Sequence, residues 1–171
     1  VKYVFLDIDG VLNSAEFMER EKPQEQFKGV DEVSNYDHSV VMLDRTAVER
    51  LNGLVVPGVA FVISSTWRIL HPLHHIQRML RSKGFDGSII GATPVSIGKR
   101  GREIGSWLMA ATGTRMNRSE VNSWPEFVIL DDDSDMLTLG GYLVQTDNGK
   151  GLQDDDIELA KNILNLGKDD E

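Results

Sequence analysis

The chain has 171 residues, 40% of them hydrophobic and 26% charged, with a formal charge of −9 and no cysteine. That is enough chain for one domain with a sizeable core, and the balance excludes a disordered polyampholyte. The missing cysteine excludes disulfides, thiolate zinc sites and a cysteine nucleophile; the acidic charge is a poor footprint for nucleic acid, although it leaves room for a phosphorylated substrate in a local basic pocket.

Taken in chain order, residues 1–8 read as a buried strand, β-branched and aromatic and nearly continuous, closed by Gly10. Residues 13–40 are polar, with Pro23 and Gly29 as breakers. They read as a long irregular excursion with at most one helical turn, of the kind used as a flap. Asp44 as N-cap and Gly53 as C-cap frame a helix over "LDRTAVERLNG". "GVAFVISS" is a second buried strand, and "HPLHHIQRMLRSKG" is a helix with Pro72 near its start and Gly84 at its end. "GSIIGATP" holds a short strand, and "KRGREIGSWLMAATG" is an amphipathic helix whose core face carries Ile104, Trp107 and Leu108. "EFVILDDDSD" is a strand running into acids, "YLVQT" is a last short strand, and "DDDIELAKNILNLG" is a helix with acids in its first turn. No run is apolar enough for a membrane span and no signal segment opens the chain, so the expectation is a cytoplasmic protein with no membrane partner.

Strands that are continuous apolar runs and alternate with helices predict an α/β fold, one domain over residues 1–171 with a central parallel sheet covered on both faces. Ligands of such sheets bind beyond the carboxyl ends of the strands. There the sequence puts Asp7 and Asp9, then Ser64, Ser65, Thr66, Trp67 and Arg68, then Lys99, Arg100 and Arg102, then Asp131, Asp132, Asp133 and Asp135. Carboxylates crowded on one rim repel, and a divalent cation removes that penalty. Oxygen-only ligands suit Mg²⁺, and hydroxyls and cations beside them suit a phosphate.

"DIDGV" after a strand, a strand ending in Ser, a basic residue opening a later helix and a strand ending in "DDDSD" resemble the four motifs of the haloacid dehalogenase-like (HAD) phosphohydrolase superfamily. More narrowly, "VISSTWR", "KRGREIGSWL", "FVILDDDSDM" and "LVQTDNGKGL" are similar to HAD domains associated with RNA-repair proteins. The resemblance implies a three-layer Rossmann-like HAD fold with the first strand central, a minimal cap and residues 13–40 as a flap. It implies Asp7 as a nucleophile that forms an aspartyl-phosphate, and Asp9 as general acid and then base. Ser64 would hydrogen-bond the phosphoryl group and Arg100 would neutralise it. Ser65, Arg68 and Lys99 would bind substrate. Asp7, the backbone carbonyl of Asp9, Asp132 and Asp131 would hold Mg²⁺, with Asp135 near a metal-bound water.

Two choices stay open in the sequence. "KRGR" offers Lys99, Arg100 and Arg102 as the helix-opening base, and Arg100 is favoured by resemblance to an "RGxEI" pattern. "DDD" leaves the metal-binding register open among Asp131, Asp132 and Asp133; Asp132 is favoured because the superfamily's aspartate sits one residue past the first acidic or glycine position after the strand.

Plainer readings compete. Asp7 and Asp9 could be turn residues at a strand end. A calcium loop is disfavoured, because Met136 and Tyr142 stand where its glycine and glutamate belong. His71 and His75 have zinc spacing on a helix but no evident third ligand. Trp67 suits packing under a helix better than stacking on a base, and Arg68, if not a substrate contact, would pair with the acidic flap. The expected partner is a phosphorylated substrate: a small phosphomonoester, a nucleotide or a nucleic-acid end. The last would need a basic path, which Arg68, Arg78, Arg81, Arg115 and Arg118 could supply. The competing function is a non-catalytic metal- or phosphate-binding regulatory domain on the same scaffold.

Overall fold

The structure, a computed structural model, describes residues 1–96, 98–113 and 124–167. Arg115 and Arg118 therefore lie outside the described residues. Five strands, β1 (Lys2–Leu6), β2 (Val59–Ile63), β3 (Ile89–Ala92), β4 (Phe127–Asp131) and β5 (Leu143–Gln145), form one parallel sheet in the order β3-β2-β1-β4-β5. β1 is central, as expected. The chain winds outward from β1 to β3 and then returns to build β4 and β5 on the other side. The switch point, where such sheets bind ligands, therefore lies at β1 and β4.

The pleat sorts the core into two layers. Phe5, Val62 and Ile129 share one row across β2, β1 and β4 and face one side, while Val4, Leu6, Phe61, Ile63, Val128 and Leu130 face the other. The larger layer is covered by α3 (Arg45–Arg50), α5 (Leu73–Ser82) and α7 (Asp154–Ile163). The smaller is covered by α6 (Arg100–Thr112) through Ile104 and Leu108 and by the 3₁₀ turn Leu137–Tyr142 through Leu139. Trp107 is half-buried there, edge-on to Tyr3 at 5.0 Å and Phe5 at 5.4 Å between ring centres. Each fully buried large apolar side chain contributes about 1.5–3 kcal/mol through burial. No helix of the described residues is long and apolar enough to cross a membrane.

The structure corrects two local expectations. Residues 13–40 are not irregular: they hold α1 (Ala15–Glu21), a 3₁₀ turn Pro23–Phe27 and most of α2 (Asn35–Val41). Ser14 and Ser34 cap the two helices, accepting from the backbone N–H of Phe17 and Asp37. The helix from Asp44 ends early in a 3₁₀ turn, Leu51–Leu54, and Gly53 lies inside that turn. Gly53 serves packing instead, because a Cβ there would come within 2.8 Å of Ile157 Cγ2 on α7. A short helix, α4 (Trp67–Leu70), precedes α5. The acids of "DDDIE" do open α7, where Gln153 and Asp156 make a reciprocal capping box.

Candidate active site

β1 ends at the rim with Asp7, whose N–H donates to Leu130 O at 3.0 Å. Ile8 turns into the core, which leaves Asp7 buried at the strand end and Asp9 exposed beyond it. Gly10 then reverses the chain at φ +73°, and a Cβ there would overlap the Asp132 carboxylate. Only glycine gives both that turn and that approach. Thr146, just past β5, fixes the turn from behind through its hydroxyl to Gly10 O at 2.8 Å.

β4 delivers Asp131, fully buried, and Asp132, partly buried. Carboxylate oxygens of Asp7, Asp131 and Asp132 lie within 4.8 Å of one another. Burial, and next the charge of Asp7, push the Asp131 carboxyl up to about 7, with Arg100 opposing. Asp132 is raised by the same two causes in the same order. Among the described residues, Asp131 Oδ2 is buried without a hydrogen bond and faces Arg100 Nε at 3.3 Å. Three mutually repelling carboxylates with an unsatisfied buried oxygen suit a hard divalent cation such as Mg²⁺. Asp9's carboxylate is outside this trio.

Arg100, first residue of α6, is the base of "KRGR" that enters the site. It pairs with Asp7 at 3.0 Å and Asp131 at 3.3 Å and donates to Ser64 O at 2.8 Å. Burial works against its charge, but Asp7 and Asp131 outweigh it and hold the guanidinium above the ordinary arginine value. Lys99 caps α6 from an exposed position and Arg102 is exposed. Asp135 holds the start of α6, accepting from the Arg100 N–H at 3.2 Å. The Ser64 hydroxyl is fully buried at the end of β2 and has no hydrogen-bond partner among the described residues, so its hydrogen-bonding capacity is unused.

Two expected substrate contacts are otherwise engaged. All five N–H donors of Arg68 are taken: by the carbonyls of Thr93, Ser64, Ser65 and Pro94 and by Glu103 Oε2 at 2.7 Å. Arg68 is a buried brace paired with α6, neither a free phosphate ligand nor a partner of the acidic segment. Ser65 is buried and its hydroxyl accepts from the Trp67 N–H at 3.3 Å. His71 meets Ser39 at 2.8 Å and His75 lies edge-on to Tyr36, so both tie α2 to the α4–α5 corner.

Two partners of Asp9 were missed in the sequence. Asn13 Nδ2 donates to Asp9 Oδ1 at 2.9 Å, and Trp67 Nε1 donates to Asp9 Oδ2 at 3.0 Å. The only signals available were an amide four residues after Asp9 and an indole beside the serine strand end. Between Asp9 and Asp132 opens a cavity of about 290 Å³ with Met18 and Met42 on its wall.

A family model for the HAD domain in Swiss Army Knife RNA repair proteins matches residues 3–157. The chain belongs to this HAD family. The match runs from the second residue of β1 past β5 and so takes in every rim residue described above. No curated protein and no solved structure gives a significant match. Membership in the HAD family supports a phosphohydrolase of the HAD type that takes a phosphorylated substrate.

Proposed function

We propose that this HAD domain is a Mg²⁺-dependent phosphomonoesterase of the cytoplasm that works through an aspartyl-phosphate on Asp7. Its substrate is a small phosphomonoester, a nucleotide or a nucleic-acid phosphate end. The observation that carries the reading is Arg100 bridging Asp7 and Asp131 over the end of β2, beside the unpartnered Ser64 hydroxyl. A carboxylate, a cation and a free donor converge where a phosphoryl group needs all three.

Asp7 attacks phosphorus as the ester P–O bond breaks, and the departing oxygen takes a proton from Asp9. Arg100 and the Ser64 hydroxyl bind the transferring oxygens and hold them in line. Water, giving its proton to Asp9, then attacks the acyl phosphate, releasing inorganic phosphate and restoring Asp7. Asp7, Asp131, Asp132 and the Asp9 carbonyl would hold Mg²⁺, which would supply positive charge against the phosphoryl oxygens. The cavity beside Asp9, walled in part by Met18, would take the leaving group, with residues 13–40 as a small flap.

The test is phosphate release from an aryl phosphate and a 3′-phosphorylated oligonucleotide, in Mg²⁺ or EDTA, for wild type and Asp7→Asn. Metal-dependent release reduced about 10³-fold or more in the variant is expected. A fully active Asp7→Asn would overturn the mechanism. Mg²⁺ binding with no release from any phosphomonoester would favour the non-catalytic metal-binding alternative.

A further inference from the structure

Asp9 is exposed at the rim, yet both of its carboxylate oxygens are occupied from behind. An exposed aspartate ordinarily samples several rotamers with water as its partner. Here Oδ1 accepts from Asn13 and Oδ2 from Trp67. The orientation of the Asn13 amide is not arbitrary: its Oδ1 accepts from the Gly10 N–H at 2.9 Å, so its NH₂ must face Asp9. Trp67 is equally fixed. Its indole packs in the main core, its backbone N–H is capped by Ser65, and an indole N–H can only donate.

The two donors come from different elements, one from the turn after β1 and one from α4 after β2. Together they fix the plane of the carboxylate, while each oxygen keeps a further lone pair for a proton. We propose that Trp67 and Asn13 are positioning residues for Asp9, clamping it in the rotamer from which it exchanges a proton with the leaving oxygen. The inference rests on the phosphomonoesterase reading. It assigns Trp67 a role that is neither core filling alone nor base stacking: neither ligates metal nor touches the phosphoryl group, and both act through the angle at which Asp9 presents its oxygen.

Proton donation matters in proportion to how poor the leaving group is, because a dinitrophenolate departs unaided and an alkoxide does not. The experiment therefore compares an alkyl phosphate with 2,4-dinitrophenyl phosphate, in Mg²⁺, for wild type, Asp9→Asn, Trp67→Phe and Asn13→Asp. Trp67→Phe keeps the ring and deletes the N–H. Asn13→Asp keeps the acceptor for Gly10 and replaces the donor with a like charge, which serves if Trp67→Phe does not fold. The expected result is that Trp67→Phe and Asn13→Asp each lose about tenfold or more in kcat/KM, which reads the step in which the leaving group departs, on the alkyl ester beyond their loss on the dinitrophenyl ester. Asp9→Asn should show the same bias, larger. In parallel, the Trp67 indole N–H resonance should move when Asp9 is changed to Asn.

Equal losses on both esters in both clamp variants, with the bias kept in Asp9→Asn, would overturn the proposal and leave the phosphatase reading standing. An indole resonance that ignores Asp9→Asn would also overturn it. No bias in Asp9→Asn would remove the proton-transfer role of Asp9, and the clamp's role with it.

Discussion

Arg68 and Arg100 stand on the same rim and donate to the same acceptor, the carbonyl of Ser64, each at 2.8 Å. Their other contacts differ in kind. Arg68 spends its remaining donors on three more carbonyls and on Glu103, a closed set of acceptors inside the fold. Arg100 faces Asp7 and Asp131, two carboxylates that repel one another and leave one oxygen unsatisfied. The saturated arginine builds the loop, and Arg100 with its unsatisfied carboxylates is where the proposed chemistry sits. Both are buried cations next to a serine strand end, so residue type and neighbourhood do not separate them; the count of satisfied partners does.

The contrast is sharpest in stability. Arg68→Met leaves Glu103 buried without its cation and should destabilise the fold by about 3–5 kcal/mol, read by denaturant unfolding. Activity per folded molecule should change much less. Arg100→Met should do the reverse, losing about 10²–10³-fold in kcat for phosphate release while remaining folded in Mg²⁺. If the two variants exchanged these signatures, the division between them would be wrong.

A smaller effect tests the carboxylates that Arg100 faces. The folded Asp131 carboxyl sits at about 7, above the ordinary value of about 3.9 expected on unfolding. The native state then binds a proton that the unfolded state has released. Asp131's contribution to stability is fully present below about pH 4 and is lost as pH rises through about 7. His71, lowered first by burial and then by His75, has the opposite sign: it costs stability as pH falls through its unfolded value. The contribution of Asp131 is therefore read as wild type minus Asp131→Asn. In EDTA that difference should grow as pH falls from about 8 to about 5; in saturating Mg²⁺ it should flatten, because the metal takes the deprotonated form. A flat difference in EDTA would break the account of Asp131.

Much of this was legible in the sequence. Continuous apolar strands spaced by helical segments give a parallel sheet, and residues after each strand fall on one rim whatever the loops do. Asp7, Asp9, Ser64, Arg100, Asp131 and Asp132 follow from that rule and from the HAD resemblance. What was not legible depends on side-chain direction. Arg68 looks like a phosphate ligand until the carbonyls of Thr93 and Pro94, distant in sequence, are seen around it. Trp67 looks like core until its Nε1 is seen on Asp9, 58 residues away. Residues 13–40 were misread for a local reason. Their polar composition hid α1 and α2, although Ser14 and Ser34 were cap signals that could have revealed them.

The segment that carries α1 and α2 leaves the sheet domain after Leu12 and rejoins it at Asp44, and these two residues are directly bonded, Asp44 N–H to Leu12 O at 2.8 Å. Its departure and return points coincide. Holding the two ends of a flexible segment together costs only about 0.6 kcal/mol more for each doubling of its length. The wall of the cavity beside Asp9 can therefore be lengthened or shortened beyond Asn13 while Asn13, the carboxylates, Arg100 and Ser64 keep their places on the sheet domain. For an engineer, this junction is the place to vary what the proposed phosphatase accepts without rebuilding its rim.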